Sequence, residues 1–300
     1  MTDNCPICKN STATTWLSSN NILICQCSDC KIGFVEDRSV RYEYESYGKY
    51  ITEFDDNYFS ERKNIGTVKK LFFFILKKLK GKNIKILDFG GGAGFFASSC
   101  IKSGFTDTYI VEPSKEFRDA AVERVGLPFD KVFETIDKVP INIKFDFVIM
   151  LDVIEHLPLE EMDEIMATLR CRLNEQGLLL VATPNMKSLN IKLHKEKDPV
   201  VAPPSHTLYF SCKSLRKFLA KHCFSPIFLT TMGMSHNSFF RNSKFKPSWV
   251  EIPVGIHQKV ISRLIRIVFS LFSLALTPLG MGYHINGLFR YSDDLKKTEG

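Results

Sequence analysis

The sequence predicts an α/β fold with a mostly parallel sheet, preceded by a small zinc ribbon. Three observations predict it. Strand-like and helix-like apolar blocks alternate from about residue 69 to residue 231, a glycine-dense turn follows the first strand, and four N-terminal cysteines form two C-x-x-C pairs. The chain has 300 residues, of which 44% are hydrophobic and 24% are charged. It is therefore long enough to bury a full core and too balanced in composition to be disordered.

Composition divides the chain into three parts: a cysteine-rich zinc ribbon at 1–40, a Tyr-rich and acidic linker at 41–65, and a main domain at 66–291. The elements predicted after the linker, in chain order, are helix 69–80, strand 84–89, helix 94–103, strand 108–111, helix 114–125, strand 145–151, helix 159–173, strand 177–183, helix 211–222, strand 226–231 and strand 282–291. Strands that alternate with helices of this length form βαβ units, which require a mostly parallel sheet.

The cysteine pairs at the N-terminus predict a structural metal site. Cys5 and Cys8 form one pair and Cys27 and Cys30 the other, with 18 residues between the pairs. This spacing suits four thiolates around one zinc ion, with an intervening hairpin that is too small to fold without the metal. Cys25 lies two residues before Cys27 and is either a bystander or a substitute ligand. Because four cysteines leave no open coordination position, we expect the zinc to be structural.

The first strand of the main domain runs into a glycine turn that can approach a ligand closely. The sequence from Ile84 reads IKILDFGGGAG, so Asp88 precedes Gly90, Gly92 and Gly94. The glycine spacing alone also fits a relaxed dinucleotide fingerprint. However, Asp88 at the strand tip would repel a pyrophosphate and would accept from an ammonium group.

Glu112 ends the next strand, where an acid takes the hydroxyls of a ribose. Two acids and a glycine turn in this order describe a site for S-adenosylmethionine, an amino acid that carries a ribose. At this point the chain resembles the class I S-adenosylmethionine-dependent methyltransferases, which have a Rossmann-like sheet. The resemblance spans about residues 84–232. It implies that a set of six residues binds the cofactor: Asp88, Gly90, Gly92, Gly94, Glu112 and Asp152.

The fourth strand of the main domain continues the resemblance. It ends in Asp152-Val-Ile-Glu155-His156-Leu, which is similar to a motif common in these methyltransferases, and His206 lies in a later loop of the same pattern. His156, oriented by Glu155 or Asp152 and facing His206, could act as a base for a hydroxyl acceptor.

Two other roles for His156 remain open. In the quinone-pathway and small-RNA O-methyltransferases a similar set binds a divalent cation, which here would involve Asp152, Glu155, His156 and His206. The third role is plain structural hydrogen bonding. The remaining histidines, 194, 222, 236, 257 and 284, have no constellation of partners in the sequence.

An apolar segment at 260–276 forms the centre of an excursion near 254–279. Its uncharged run is too short, and too closely followed by Pro278, to predict a membrane span. It is interpreted as a pocket lid or core helix, as a peripheral membrane contact or as a dimer face.

These features predict an enzyme that O-methylates a small molecule or a cell-surface glycan precursor, which could be lipid-linked. Sugar C-methyltransferases share such an N-terminal zinc ribbon but add a large further domain after the catalytic one. The 300 residues do not include such a domain, so we expect O-methylation rather than C-methylation. The N-terminus lacks the apolar segment of a signal peptide, so we expect a cytoplasmic protein that could bind a membrane peripherally.

Two alternatives belong to other classes. A zinc-ribbon RNA methyltransferase is disfavoured because residues 1–40 are not clearly basic, although the whole chain carries a net charge of +7. A non-catalytic scaffold that binds the cofactor would bind S-adenosylmethionine without turning it over on any acceptor.

Overall fold

The computed structural model describes residues 4–9, 13–37, 83–123, 125–233 and 275–292. The strands in this part of the chain are β1 (Ala13–Ser19), β2 (Ile22–Cys27), β3 (Gly33–Val35), β4 (Ile86–Phe89), β5 (Thr108–Val111), β6 (Val132–Phe133), β7 (Phe145–Leu151), β8 (Leu173–Pro184), β9 (Leu208–Tyr209), β10 (Phe224–Met232) and β11 (His284–Tyr291). The α-helices are α1 (Phe95–Lys102), α2 (Lys115–Glu123), α3 (Met162–Cys171), α4 (Leu189–His194) and α5 (Cys212–Lys221).

A seven-stranded sheet in the order β10-β11-β8-β7-β4-β5-β6 forms the main domain. The pairs β4–β5, β4–β7, β5–β6 and β7–β8 are parallel, whereas β11 runs antiparallel to both of its neighbours. The predicted mostly parallel α/β sheet is therefore confirmed. Strand β7 is the central strand and β4 is its parallel neighbour, so their carboxyl ends, which carry Asp88 and Asp152, lie at the same edge of the sheet.

The described part of the ribbon, residues 4–9 and 13–37, contains the predicted hairpin. Strands β1 and β2 pair antiparallel and are joined at Asn20 and Asn21, whose φ angles of 51° and 61° place both in the left-handed region of a tight hairpin turn. Strand β3 pairs with β2, and β9 of the main domain pairs with β3, so the small sheet has the order β1-β2-β3-β9. The ribbon sheet thus continues into the main domain.

One hydrophobic core runs through both sheets. Its buried side chains include Phe34 of the ribbon together with Phe145, Phe210 and Phe289 of the main domain. The central strands are buried on both faces because helices cover them: β7 reads FDFVIML, with five of its seven residues buried. The ribbon is therefore packed into the domain.

Several sequence predictions lie wholly or mostly outside the described residues. These are the Tyr-rich linker at 41–65, the helix at 69–80 and most of the apolar segment at 260–276. Among the helices in the described ranges, none combines the length and the apolar character needed to cross a lipid bilayer.

Candidate functional site

The four predicted zinc ligands come together in the ribbon. The thiols of Cys5, Cys8, Cys27 and Cys30 lie within 4.8 Å of one another, and the Cys5–Cys30 and Cys8–Cys27 sulfur pairs are each 3.5 Å apart. Four convergent thiols fit a closed tetrahedral zinc site. Cys25 is buried on β2 and is not part of this group, which makes it the bystander of the two readings.

The local structure of the cluster also suits thiolates. The backbone N–H of Asp29 donates to the sulfur of Cys27 at 3.4 Å, as expected for a knuckle turn. A hydrogen bond from Cys30 lowers the pKa of Cys5 to about 5, because the bond stabilises the Cys5 thiolate. Cys5 is therefore favoured as a thiolate, the state that binds a metal, whereas the same hydrogen bond raises the pKa of Cys30.

Asp88 lies at the carboxyl end of β4 under the glycine turn, and 3% of it is exposed. Its Oδ2 atom has no hydrogen-bond partner among the described residues. Burial raises the pKa of Asp88 to about 7, and a hydrogen bond from the Ala97 backbone opposes the rise. A buried carboxyl with an unused oxygen has the capacity to accept a hydrogen bond from a cationic ligand.

The glycine turn is built from left-handed residues and uses its own N–H groups. Gly90, Gly92 and Gly94 have φ angles of 71°, 53° and 76°. The N–H of Gly90 donates to the Val111 carbonyl at 2.7 Å, and that of Gly92 donates to Oε2 of Glu112 at 2.8 Å. The turn therefore offers a surface without side chains, and these two N–H groups are already satisfied.

Glu112 clamps the turn from the end of β5. Its second oxygen, Oε1, accepts from the Ser114 N–H at 3.0 Å, so both carboxylate oxygens hold backbone groups. Burial raises the pKa of Glu112, while these backbone bonds lower it. Each oxygen keeps a second lone pair, which is what binding the two hydroxyls of a ribose requires.

A second cluster lies beyond the end of β7. Ligand atoms of Glu155, His156 and His206 lie within 4.8 Å of one another, a spacing that could hold a metal ion. The rings of His156 and His206 meet edge to face with centroids 4.7 Å apart. The sequence prediction that His206 faces His156 thus agrees with the geometry.

Glu155 is the buried acid of this cluster, with 2% exposed. The hydroxyl of Thr183 donates to its Oε2 at 2.9 Å, whereas Oε1 has no hydrogen-bond partner in the part of the chain that the structure describes. Burial and the nearby Asp152 raise the pKa of Glu155 well above its usual range. A cation placed against Oε1 would remove this penalty, because it would pair the charge.

Hydrogen bonds fix the tautomers of the two histidines. Nδ1 of His156 donates to the Ser205 carbonyl at 2.6 Å, and Nδ1 of His206 donates to the Val200 carbonyl at 2.7 Å. Each ring therefore carries a lone pair on Nε2 when neutral. Burial lowers the pKa of both, that of His206 to about 3, so both rings are neutral at physiological pH.

Asp152 is predicted to bind the cofactor, to orient His156 or to join the cation ligands. It has a φ of 54°, its side chain is 59% exposed, and its Oδ1 lies 3.5 Å from Nδ1 of His284. It is not in the group formed by Glu155, His156 and His206.

The statement that the remaining histidines lack a constellation is wrong for His284, which pairs with Asp152. It is also wrong for His222, whose Nε2 lies 3.1 Å from Asp163. The sequence does not show that β11 pairs with β8. This pairing places His284 opposite Pro184 at the carboxyl edge of the sheet.

Comparison with known proteins shows what the chain is similar to. A family model described as a methyltransferase domain matches residues 58–226. Among solved structures, an S-adenosylmethionine-dependent methyltransferase of Thermotoga maritima, described as a possible histamine N-methyltransferase, aligns with a TM-score of 0.52. That alignment covers 83% of this chain and all of the other at 15% identity, so it shows the shared fold.

Curated relatives carry a more specific name over a shorter span. The ubiquinone biosynthesis O-methyltransferase of Rickettsia bellii is 28% identical over 119 residues, which is 37% of this chain and 49% of the relative. The enzyme of the same name from Paramagnetospirillum magneticum is 28% identical over 106 residues, 35% of this chain and 42% of the relative. The chain thus spans at most about half the length of these two relatives.

Proposed function

The chain belongs to the methyltransferase domain family, and on that premise we propose that it transfers the methyl group of S-adenosylmethionine to a hydroxyl oxygen of a small molecule. The observation that carries the proposal is the pair of buried acids around the glycine turn. Asp88 has an unused oxygen for the ammonium group, and Glu112 sits where the two ribose hydroxyls would bind. The curated relatives, which are O-methyltransferases by name, support an oxygen acceptor.

We propose that Glu155, His156 and His206 hold a divalent cation on the acceptor side. Three properties fit: a carboxylate oxygen without a partner, two imidazoles whose Nδ1 atoms donate to carbonyls, and a depressed pKa at both rings. A bound cation would supply a positive charge that favours the ionised form of an acceptor hydroxyl. The depressed pKa of His156 makes it a poor proton acceptor, so we favour the ligand role over the base role for this residue.

The acceptor proton then needs another destination. His284 is partly exposed, with 36% of its side chain accessible, and Asp152 lies against its Nδ1. We propose that His284 takes the proton while Asp152 orients the ring and stabilises its charge. Bound S-adenosylmethionine would supply an electrophilic methyl group to the acceptor oxygen and would leave as a neutral thioether that keeps the electron pair of the carbon–sulfur bond.

Calorimetric titration of S-adenosylmethionine into the zinc-loaded chain tests the cofactor part. We expect micromolar affinity in the wild type and a loss of about 100-fold in Glu112→Ala, because hydrogen bonds to a charged group each contribute about 1.5–3 kcal/mol. Glu123→Ala removes an exposed acid of α2 and serves as the control. Absence of binding in the wild type, or a preference for a nicotinamide dinucleotide, would refute the proposal.

The acceptor side is tested with Mn²⁺ as the metal and 3,4-dihydroxybenzoate as the acceptor probe. Glu155→Gln should lose Mn²⁺ binding and methyl transfer together. His284→Gln should keep Mn²⁺ binding and lose turnover mainly at low pH, where less of the acceptor hydroxyl is ionised. A cation role for Glu155 is excluded if Glu155→Gln binds Mn²⁺ as tightly as the wild type. Glycan precursors, free and lipid-linked, form the second acceptor panel if the diol is not methylated.

A further inference from the structure

The segment from Asp198 to Tyr209, called here the histidine segment, lies between the ribbon and the acceptor-side cluster. It contains His206 itself, and it is held on two opposite sides by unrelated parts of the chain. The contacts on each side show what the ribbon does for the site.

On its ribbon side, the histidine segment is an added strand. Gly33 pairs with Tyr209 and Phe34 with Leu208, and the Val35 N–H donates to the Thr207 carbonyl at 3.0 Å. A β-carbon on Gly33 would lie 2.9 Å from that of Tyr209, so the two strands are in close contact. Backbone pairing of this kind fixes the position of the histidine segment along β3.

The tip of the β1–β2 hairpin makes a second attachment. The side-chain amide of Asn20 donates to the Pro203 carbonyl at 2.8 Å, and the hydroxyl of Ser19 donates to the Val201 carbonyl at 3.2 Å. The ring of Trp16 meets that of Tyr209 edge to face at 5.7 Å. The ribbon therefore contacts the histidine segment on both sides of His206.

On its other side, the histidine segment reaches all three residues of the cluster. His206 belongs to it, the Ser205 carbonyl accepts from His156, and the Thr207 N–H donates to the Glu155 carbonyl at 2.9 Å. A displacement of this segment would therefore move or release every group that is proposed to hold the cation.

We propose that the ribbon is the positioning element of the acceptor-side cluster, with Asn20 as a positioning residue that acts through the histidine segment. The inference rests on the proposed function only for the identity of the ligand, a divalent cation, that the cluster binds. A ribbon of this size has too small a core to fold alone, so a metal on its four cysteines would set the geometry of a second, chemically different site. The glycine turn and Glu112 have no part in this contact, so cofactor binding is expected to be independent of it.

Asn20→Gly tests the positioning role with little disturbance of the ribbon. Glycine accepts the left-handed φ of position 20, so the substitution removes the side-chain bond to Pro203 and keeps the turn. Asn21→Gly is the matched control, because Asn21 is exposed in the same turn with a φ of 61°. Hydrogen exchange measured by mass spectrometry should become roughly threefold to tenfold faster in peptides covering 198–209 in Asn20→Gly alone.

A second variant weakens the support by removing two of the four predicted zinc ligands while the shared core remains. In Cys27→Ser/Cys30→Ser, we expect Mn²⁺ affinity to fall by at least about tenfold, since misplacing a positioned group by about 1 Å can cost 10²-fold in function. S-adenosylmethionine affinity should stay within about twofold of wild type. Retained cofactor binding also reports that the main sheet is folded.

The outcomes separate the two proposals. Unchanged exchange in the histidine segment of Asn20→Gly, or wild-type Mn²⁺ affinity in the cysteine variant, would overturn the positioning role and leave the methyltransferase proposal intact. Failure of the wild type to bind Mn²⁺ would overturn the cation proposal, while the exchange measurement would still decide whether the ribbon holds the histidine segment.

Discussion

Asp88 and Glu112 are two buried acids in the same site, and their environments give them different tasks. Glu112 is held by two backbone N–H groups at 2.8 Å and 3.0 Å, which offset part of the cost of burying its charge. Asp88 has an oxygen without a partner, and its pKa is raised to about 7. At the residue scale, both oxygens of Glu112 are therefore held by backbone groups in the free protein, whereas Asp88 is the acid whose charge depends on the ligand.

We predict that S-adenosylmethionine affinity depends on pH through Asp88. The free protein holds a proton on Asp88 below about pH 7, and acceptance from an ammonium group requires the ionised form. Affinity should therefore rise with pH and level off above about pH 7, with a loss approaching tenfold for each pH unit below it. Calorimetry in buffers of different ionisation enthalpy would also detect the released proton.

The matching variant for this prediction is Asp88→Asn, which should bind more weakly and show a flat profile between pH 6 and 8. The sign for stability is opposite. Because the pKa of Asp88 is higher in the folded state than its ordinary value of 3.8, the free energy of unfolding falls as pH rises from about 4 through about 7. An affinity that does not change with pH in the wild type would contradict the assignment of Asp88 to the ammonium group.

At the scale of elements, the glycine turn connects β4 to α1 with three left-handed residues that differ in their surroundings. A β-carbon on Gly94 would lie 2.4 Å from Leu127 and 2.9 Å from Ile110, inside the packed face of α1. A β-carbon on Gly92 would meet only Phe117, at 3.9 Å. The turn thus has a side that packs against the sheet and a side that is open for a ligand.

We predict that Gly94→Ala is much more destabilising than Gly92→Ala. Both variants incur the left-handed backbone cost of about 1–2 kcal/mol, but only Gly94→Ala adds overlap with buried side chains, for about 1–3 kcal/mol more. Thermal denaturation without ligand measures the difference. Equal melting midpoints for the two variants would mean that the turn relaxes as a unit and that the packed side is not rigid.

Strands of only two residues are too short to be predicted from a sequence pattern. Strands β6 and β9 have no periodicity of their own and exist only because β5 and β3 pair with them. Longer elements such as β7 and α5 were predicted, since their apolar spacing is repeated over several turns or alternations. Strand β9 matters for the site, because it continues the segment that carries His206.

At the scale of the whole molecule, the ribbon and the methyltransferase domain share one core. Buried Phe34 and Val35 of the ribbon belong to the same cluster as Phe210 and Leu215 of the main domain. Composition predicts a domain boundary at residue 40, but buried side chains from the ribbon and the main domain pack into one core. The two parts are therefore expected to unfold together.

We predict a single thermal unfolding transition. Its midpoint should fall when a chelator removes the metal from the four cysteines of the ribbon. The cost should exceed about 2 kcal/mol, which corresponds to a fall of at least about 3 °C for a chain of this size. Circular dichroism in the far and near ultraviolet would follow both parts. Two separate transitions, with the upper one at the original midpoint, would show that the ribbon is an independent domain.

The sequence by itself determined the fold class, and it predicted the four cysteines that cluster in the ribbon and the candidate site residues Asp88, Glu112, Glu155, His156 and His206. These features are local: an apolar period, a C-x-x-C spacing or a glycine turn after a strand is written in neighbouring residues, whose physical preferences do not depend on the rest of the chain.

Only the tertiary structure decided which distant residues meet. It paired Asp152 with His284 and joined the ribbon to the histidine segment through β3 and β9. Among the described residues, it also left Glu155 and Asp88 each with an oxygen that lacks a partner. Such contacts arise from strand order and burial over separations of more than a hundred residues, and many arrangements of the same local elements are compatible with one sequence pattern. The acceptor side of the site is therefore a property of the assembled fold.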